Sequence, residues 1–347
     1  MNNIRLFHIS HTDLDGYACQ FLTNEVFSKK HFYNANYGLE VKQAIKQVIA
    51  EIKNYQDEKL LLLISDLNLN QQESDELDKD IKSLKDDGFD ITLQLLDHHI
   101  TGKSSAAKYD WYFLDDKRCA TKIVFDYLLK EFKAPLNDYK EWVDSVNAVD
   151  IWLENEKENF EFGKVLMSMV TKAREINSIL FNSLDRDFKF YLLKNSIGFL
   201  SLENAPIVLD NSVHSLKKEF LKDGFDDTLD NLSASYLVKS LDKIKDDLTI
   251  YYNGQKGLMT YCLGAISIPA NSFLRANSDY DFFIDISRKG NASFRADGKL
   301  DVSQLASKLA NGGGHVNASG CKFDDFIDTI NLQEVRAYIQ NKLNNLK

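Results

Sequence analysis

Phe89-Asp90-Ile91-Thr92-Leu93-Gln94-Leu95-Leu96 runs directly into Asp97-His98-His99, an apolar, strand-like stretch that stops on three side chains able to bind a metal or move a proton. Three other stretches end in the same way: Ile4-Arg5-Leu6-Phe7-His8-Ile9 before His11-Thr12-Asp13-Leu14-Asp15-Gly16, Leu60-Leu61-Leu62-Leu63-Ile64 before Asp66, and Val143-Asp144-Ser145-Val146-Asn147-Ala148-Val149 before Asp150. In an open α/β sheet, ligands bind beyond the carboxyl ends of the strands, so residues distant in sequence meet there. Four endings rich in carboxylates and imidazoles have the layout of a metal centre.

Around these endings, apolar runs alternate with amphipathic helical stretches such as 18–27 and 39–52, the signature of β-α-β units and a mainly parallel sheet flanked by helices. From about Lys172 the pattern turns helical and charged. Beyond it come short strand-like runs (248–252, 282–286, 291–294), a helix near 302–310 and a closing helix near 332–343. The reading is α/β throughout: a catalytic domain over 1–185, a helical connection over 186–235, and a smaller C-terminal α/β domain over 236–347, with the active site expected in the cleft between the domains. A chain of 347 residues with 44% hydrophobic content suits two ordinary cores.

No apolar run approaches the roughly 20 residues of a membrane helix, and the first residues lack a signal-peptide core, so a cytoplasmic protein without a membrane partner is expected. Cys19, Cys119, Cys262 and Cys321 form no C-x-x-C pair, which points to reduced, structural thiols. The formal net charge of -10 disfavours tracking along duplex DNA, which relies on many Lys and Arg contacts to phosphate. Thr260–Cys321 differs from the rest, with six Lys or Arg against five Asp, a balance suited to a small anionic ligand.

Two divalent cations about 3.5–4 Å apart need a shared carboxylate and several further ligands, and can then activate water and neutralise phosphoryl charge. Asp13, Asp15, Asp66, Asp150 and two histidines could supply that set, and mixed imidazole–carboxylate donors favour Mn²⁺ over Ca²⁺ or structural zinc. Each piece has a plainer reading alone: Asp13 as a helix N-cap, His98 and His99 as loop histidines, Asp66 and Asp150 as element-end residues. Their joint occurrence in this order argues for the centre. His8, of alternate strand parity to the site residues, reads as a buried strand histidine.

This combination, together with a later Gly312-Gly313-Gly314-His315-Val316-Asn317-Ala318-Ser319-Gly320, resembles the DHH phosphoesterases with their associated C-terminal domain, across both ends of nearly the whole chain. That family includes RecJ-type exonucleases, nanoRNases, phosphatases of 3'-phosphoadenosine 5'-phosphate and cyclic-dinucleotide phosphodiesterases. The resemblance implies that His11, Asp13 and Asp66 hold one metal and Asp15, Asp66, His98 and Asp150 the other, with Asp66 bridging. It gives Asp97 a supporting place and directs His99 towards the scissile phosphate. A carboxylate beside a ligating histidine can fix its tautomer, a suitable task for Asp97. His11 stands two residues before Asp13, where many members have four, a spacing nearer the RecJ-like form.

In the C-terminal part the resemblance assigns substrate binding to Gly312, Gly313, Gly314 and His315, with Ser319 in the same motif. Arg295 lies where the family has a phosphate-binding arginine, with Arg288 as a helper, since a guanidinium can grip phosphate bidentately. The glycines follow a helical stretch, so a phosphate there would be met by a concave run of loop N–H groups. Phe273, Tyr280, Phe282 and Phe294 could stack a base or fill the core.

The expected function is Mn²⁺-dependent hydrolysis of short linear oligonucleotides or dinucleotides (nanoRNA, pApA, pGpG) to 5'-mononucleotides. Alternatives are a cyclic-dinucleotide phosphodiesterase or a 3'-phosphoadenosine 5'-phosphate phosphatase, and behind them a pyrophosphatase or polyphosphatase, or a non-catalytic nucleotide-binding module. A homodimer is left open.

Overall fold

Five consecutive aliphatic side chains at Leu60–Ile64 suit a strand covered on both faces. In the computed structural model, which describes residues 3–329 and 331–346, they form the middle of β3 (Lys59–Ser65). With β1 (Ile4–Ser10), β2 (Lys29–Asn34), β4 (Ile91–Asp97) and β5 (Tyr112–Leu114) it builds a fully parallel sheet in the order β2-β1-β3-β4-β5. The chain leaves β1 towards β2 on one side and returns to β3 on the other, which places a topological switch point between β1 and β3. Register makes the ends level: Ser10 pairs with Ser65, and Ser65 with Leu96. The residues that follow, His11, Asp66 and Asp97, therefore emerge side by side.

Helices complete this unit: α1 (Leu14–Val26), α2 (Leu39–Ile52), α3 (Gln71–Asp86), α4 (Lys103–Ala106), α5 (Ala120–Phe132), α6 (Lys140–Asp150) and α7 (Lys157–Thr171). The apolar faces of α2 (Val41, Ile45, Val48, Ile52) and α3 (Leu77, Ile81, Leu84) share one core with Phe7, Leu62, Ile64, Leu93 and Leu95. A capping box between Asn70 and Glu73 starts α3. His8 is a buried strand histidine, contacting Thr23 Oγ1 at 2.9 Å and Ser65 Oγ at 2.8 Å.

Asp150 requires a correction. Its apolar approach has the pattern of a strand ending, but Lys140–Asp150 is helical. Val143, Val146 and Val149 recur every third residue on a buried face, and this spacing outweighs the β-branched composition.

The unit just described runs to Ala173 and resumes over Arg186–Leu216; a second consists of Arg174–Asp185 and the chain from Lys217 onward. Helices α8 (Asn182–Ser196) and α9 (Ala205–Leu221) contain residues of both, and α10 (Leu229–Asp242) belongs to the second. There, β6 (Thr249–Tyr252), β7 (Gln255–Tyr261), β8 (Phe282–Ile286), β9 (Asn291–Ala296), β10 (Gly313–His315) and β11 (Ala318–Lys322) form a sheet in the order β10-β11-β9-β8-β7-β6. Its pairs are antiparallel except β7 with β8, which are joined through α12 (Ser267–Ala276). Helices α11 (Lys245–Leu248), α13 (Val302–Ala310) and α14 (Leu332–Asn344) accompany it.

The glycine-rich stretch, expected as a loop, is partly strand: Asn311 closes α13 in the left-handed conformation, and Gly313–His315 pair with β11. A Cβ at Gly312 would lie 2.2 Å from the Gly320 carbonyl oxygen and one at Gly314 2.5 Å from that of Ala318, so the close approach of the two chains requires glycine. Phe273, Tyr280, Phe282 and Phe294 are all buried, which makes them core residues. Among the described residues, no helix is long and apolar enough to cross a membrane.

Candidate metal centre

The strand ends and the adjoining helix termini bring His11, Asp13, Asp15, Asp66, His98 and Asp150 together. His11 Nδ1 lies 2.8 Å from Asp13 Oδ2 and 3.8 Å from Asp66 Oδ2. His98 Nε2 lies 3.3 Å from Asp66 Oδ1, 3.6 Å from Asp150 Oδ2 and 3.7 Å from Asp15 Oδ2. Asp66 is thus common to both constellations, a shared carboxylate between two sets of donors.

Local structure explains how each is held. Asp13 is the N-cap of α1, accepting from Gly16 N through Oδ1 while Oδ2 faces His11, so the plainer reading and the functional one both hold. Gly16 lets α1 start against the His11 backbone; a Cβ there would stand 2.3 Å from the His11 carbonyl oxygen. Asp15 is anchored from a distance: its carboxylate accepts from Ala120 N at 2.7 Å and Thr121 N at 2.8 Å, the first amides of α5. Asn147 of α6 accepts from Cys119 N at 2.9 Å, tying α6, and with it Asp150, to the same point. Asp66 is a non-glycine residue with φ of 55°, a conformation that turns the chain sharply off β3.

The electrostatics are those of crowded anions. Burial, then repulsion from Asp15, Asp13 and Asp150, pushes the Asp66 carboxyl well above the usual range. Burial, then Asp15 and Asp13, lifts Asp150 to about 9. Asp13 resists its own desolvation and is held at about 2 by His11 and the Gly16 amide. Asp66 Oδ2 and Asp150 Oδ2 are buried without a hydrogen-bond partner, and His11 Nδ1, although near Asp13, lacks hydrogen-bond geometry. Orphaned carboxylate and imidazole atoms facing one another fit divalent cations, which would satisfy them and offset the repulsion. Cys119 approaches Asp15 and Asp150, but burial and these two carboxylates keep its thiol protonated, so it suits packing better than ligation.

Asp97 does not orient a ligating histidine, as the sequence suggested; it orients His99. His99 Nδ1 donates to Asp97 Oδ1 at 2.7 Å, and Tyr112 OH donates to Asp97 Oδ2 at 3.2 Å. This carboxylate, against the opposing effect of desolvation, raises the His99 pKa. Sequence reasoning missed two residues here. Tyr112 comes from edge strand β5, and Tyr37, between β2 and α2, places its hydroxyl 3.2 Å from His99 Nε2. The signal for Tyr37 was its position: it follows a strand at the same end of the sheet.

In the second unit, Arg295 donates to the Phe294 carbonyl and to Ser267 Oγ at the start of α12, and Arg288 donates to Asp328. Ser319 Oγ donates to the Val302 carbonyl at 2.6 Å, and His315 is exposed on β10.

No family model matches the chain. A 3',5'-cyclic-nucleotide phosphodiesterase of Helicobacter pylori (strain ATCC 700392 / 26695) is 41% identical over 347 residues, covering 99% of both proteins. Oligoribonuclease NrnB of Bacillus subtilis (strain 168) is 25% identical over 338 residues, 92% of this chain and 73% of that protein. The crystal structure of an uncharacterized protein from Helicobacter pylori G27, 41% identical and covered to 99% in both chains, superposes with a TM-score of 0.90. The chain belongs to the family of the Helicobacter pylori 3',5'-cyclic-nucleotide phosphodiesterase and is a hydrolytic phosphoesterase of the DHH type.

Proposed function

We propose that this protein is a Mn²⁺-dependent phosphodiesterase acting on small nucleotide phosphodiesters, with 3',5'-cyclic nucleotides as the first substrate class. The observation that carries the reading is the pair of donor constellations sharing Asp66, with buried carboxylate oxygens left unpartnered. His11, Asp13 and Asp66 would hold one cation, and Asp15, Asp66, His98 and Asp150 the other. When bound, such a pair supplies an acidified water and neutralises phosphoryl charge.

The remaining chemistry falls to the chain's own groups. Asp97 accepts the Nδ1 proton of His99 and favours the imidazolium, whose Nε2–H would donate to a phosphoryl oxygen as charge develops there. Tyr112 fixes the second oxygen of Asp97, so the carboxylate cannot rotate away. Water adds to phosphorus, the P–O3' bond breaks, O3' takes up a proton, and a 5'-mononucleotide is the product. The name of the relative that covers 99% of both chains supports the cyclic substrate, and that of NrnB supports short linear oligonucleotides as a second reading. Arg295, Arg288, Gly312, Gly313, Gly314, His315 and Ser319 are proposed to make the second unit the substrate-binding domain of this family.

The test is chromatography of cAMP, cGMP, pApA and pGpG after incubation with the Mn²⁺-loaded protein, with Asp97→Asn and His98→Ala as controls. Formation of 5'-mononucleotides that chelator and both variants abolish is expected. Higher kcat/KM on pApA than on cAMP would promote the second reading, and a Mn²⁺-binding protein that leaves all four intact would overturn both.

A further inference from the structure

Phe273, Tyr280, Phe282 and Phe294 are buried in the core of the second unit, which leaves the base of a nucleotide without a platform from that source. One large, exposed aromatic residue follows a residue of the carboxylate cluster closely in the chain and is absent from the donor constellations. Trp152 is two residues past Asp150, so the two Cα atoms are at most about 7 Å apart. It is 61% exposed.

Its backbone makes this placement costly to keep. Helix α6 ends in a left-handed turn: Leu153 N donates to the Ala148 carbonyl at 2.7 Å, Ile151 N to that of Asn147, and Trp152 has φ of 61°. That is the position where helices ordinarily carry glycine, because a Cβ is disfavoured there and a bulky side chain more so. The indole is also held. Nε1 donates to Glu154 Oε1 at 2.8 Å, and the Phe160 ring stands against it edge-on, with centroids 5.0 Å apart and planes at 84°. The contacts with Glu154 and Phe160 fix the ring but leave most of it exposed, and they do not require a bulky residue in the left-handed turn two positions after Asp150, a proposed metal ligand.

We propose that Trp152 is the stacking platform for the nucleobase of the substrate, a role that rests on the nucleotide phosphodiesterase reading above. Every base has a π-face, so the platform would grip purine and pyrimidine nucleotides alike and would confer no reaction chemistry itself.

The test compares binding of AMP and ribose 5-phosphate, which differ only in the base, to the Mn²⁺-loaded protein by calorimetry, for wild type, Trp152→Phe and Trp152→Gly. Wild type should prefer AMP by roughly tenfold or more, Trp152→Phe should keep most of that preference, and Trp152→Gly should reduce it to about twofold or less. Because glycine suits the left-handed turn, Trp152→Gly should melt no lower than wild type, so a lost preference cannot be ascribed to unfolding. Its KM for cAMP should rise while kcat changes less. An unchanged preference in Trp152→Gly would overturn the platform and leave the phosphodiesterase reading intact, as would a change confined to oligomeric state. Failure of wild type to bind AMP at all would overturn both.

Discussion

The hydroxyl of Tyr37 lies 3.2 Å from Nε2 of His99, the ring nitrogen that Asp97 leaves available by taking Nδ1. The imidazole is therefore held from both ends, by a buried carboxylate beneath and a half-exposed phenol above. Tyr37 also packs against His11, with ring centroids 5.1 Å apart, and so touches both His99 and one residue of the carboxylate–imidazole cluster.

Asp97→Asn should separate these roles. The amide put in place of the carboxylate could no longer act as a charged acceptor for Nδ1–H, so kcat should fall at least about 100-fold, the scale of a lost acid or charge-stabilising group. Mn²⁺ affinity should stay within a few-fold, because Asp97 touches His99 and not the donor set. His98→Ala should show the converse, with weakened Mn²⁺ binding measured by calorimetry. Equal loss of metal by both variants would contradict the assignment. Tyr37→Phe should lower kcat by about 3- to 10-fold with little change in Mn²⁺ affinity.

Gly16→Ala tests the close approach at the start of α1. Its added methyl would meet the His11 backbone, so either the helix or the His11 turn must move. A stability loss of about 1–3 kcal/mol is expected from such overpacking, with weaker Mn²⁺ binding. Denaturant titration with and without Mn²⁺ reads both; wild-type metal affinity in this variant would show that the turn has room.

Metal should stabilise the fold by relieving the carboxylate cluster. At a free concentration about 100 times Kd, Mn²⁺ should add about 2.7 kcal/mol and raise Tm by several degrees. Asp66→Asn removes the shared carboxylate, so that increment should be largely lost. Without metal, the variant should melt no lower than wild type, since the neutral amide escapes the desolvation and repulsion that burden this carboxyl.

His8 gives the stability a pH dependence independent of the metal. Burial lowers its pKa from 6.5 to about 3, so between these values the unfolded chain takes up a proton that the folded chain refuses. Its contribution is complete above pH 6.5 and falls as pH drops, by about 1.4 kcal/mol per unit, until about pH 3. His8→Gln keeps hydrogen-bonding capacity towards Thr23 and Ser65 without titrating. Between pH 7 and 4.5 wild type should lose about 2–3 kcal/mol more than this variant in urea unfolding. Parallel losses would show that other groups govern the acid transition.

Local pattern was enough to place β1, β3 and β4 and the acidic and histidine residues at their ends, because apolar runs and their terminating residues are properties of neighbours in the chain; β2 and β5 carry no such run. Leu60–Ile64 must be covered on both faces, and Asp66 must follow it wherever β3 ends. The helices over 302–310 and 332–343 were legible from the same kind of pattern. Three features of the site came only with the packing of distant elements. Asp150 reaches the centre from the end of a helix, Asp15 is fixed by amides more than one hundred residues away, and Asp97, which accepts directly from His99, is held at its other oxygen by a tyrosine from an edge strand. These depend on which elements become neighbours, and that is set by the order β2-β1-β3-β4-β5 and by the packing of α1, α5 and α6, through contacts between residues far apart in the chain.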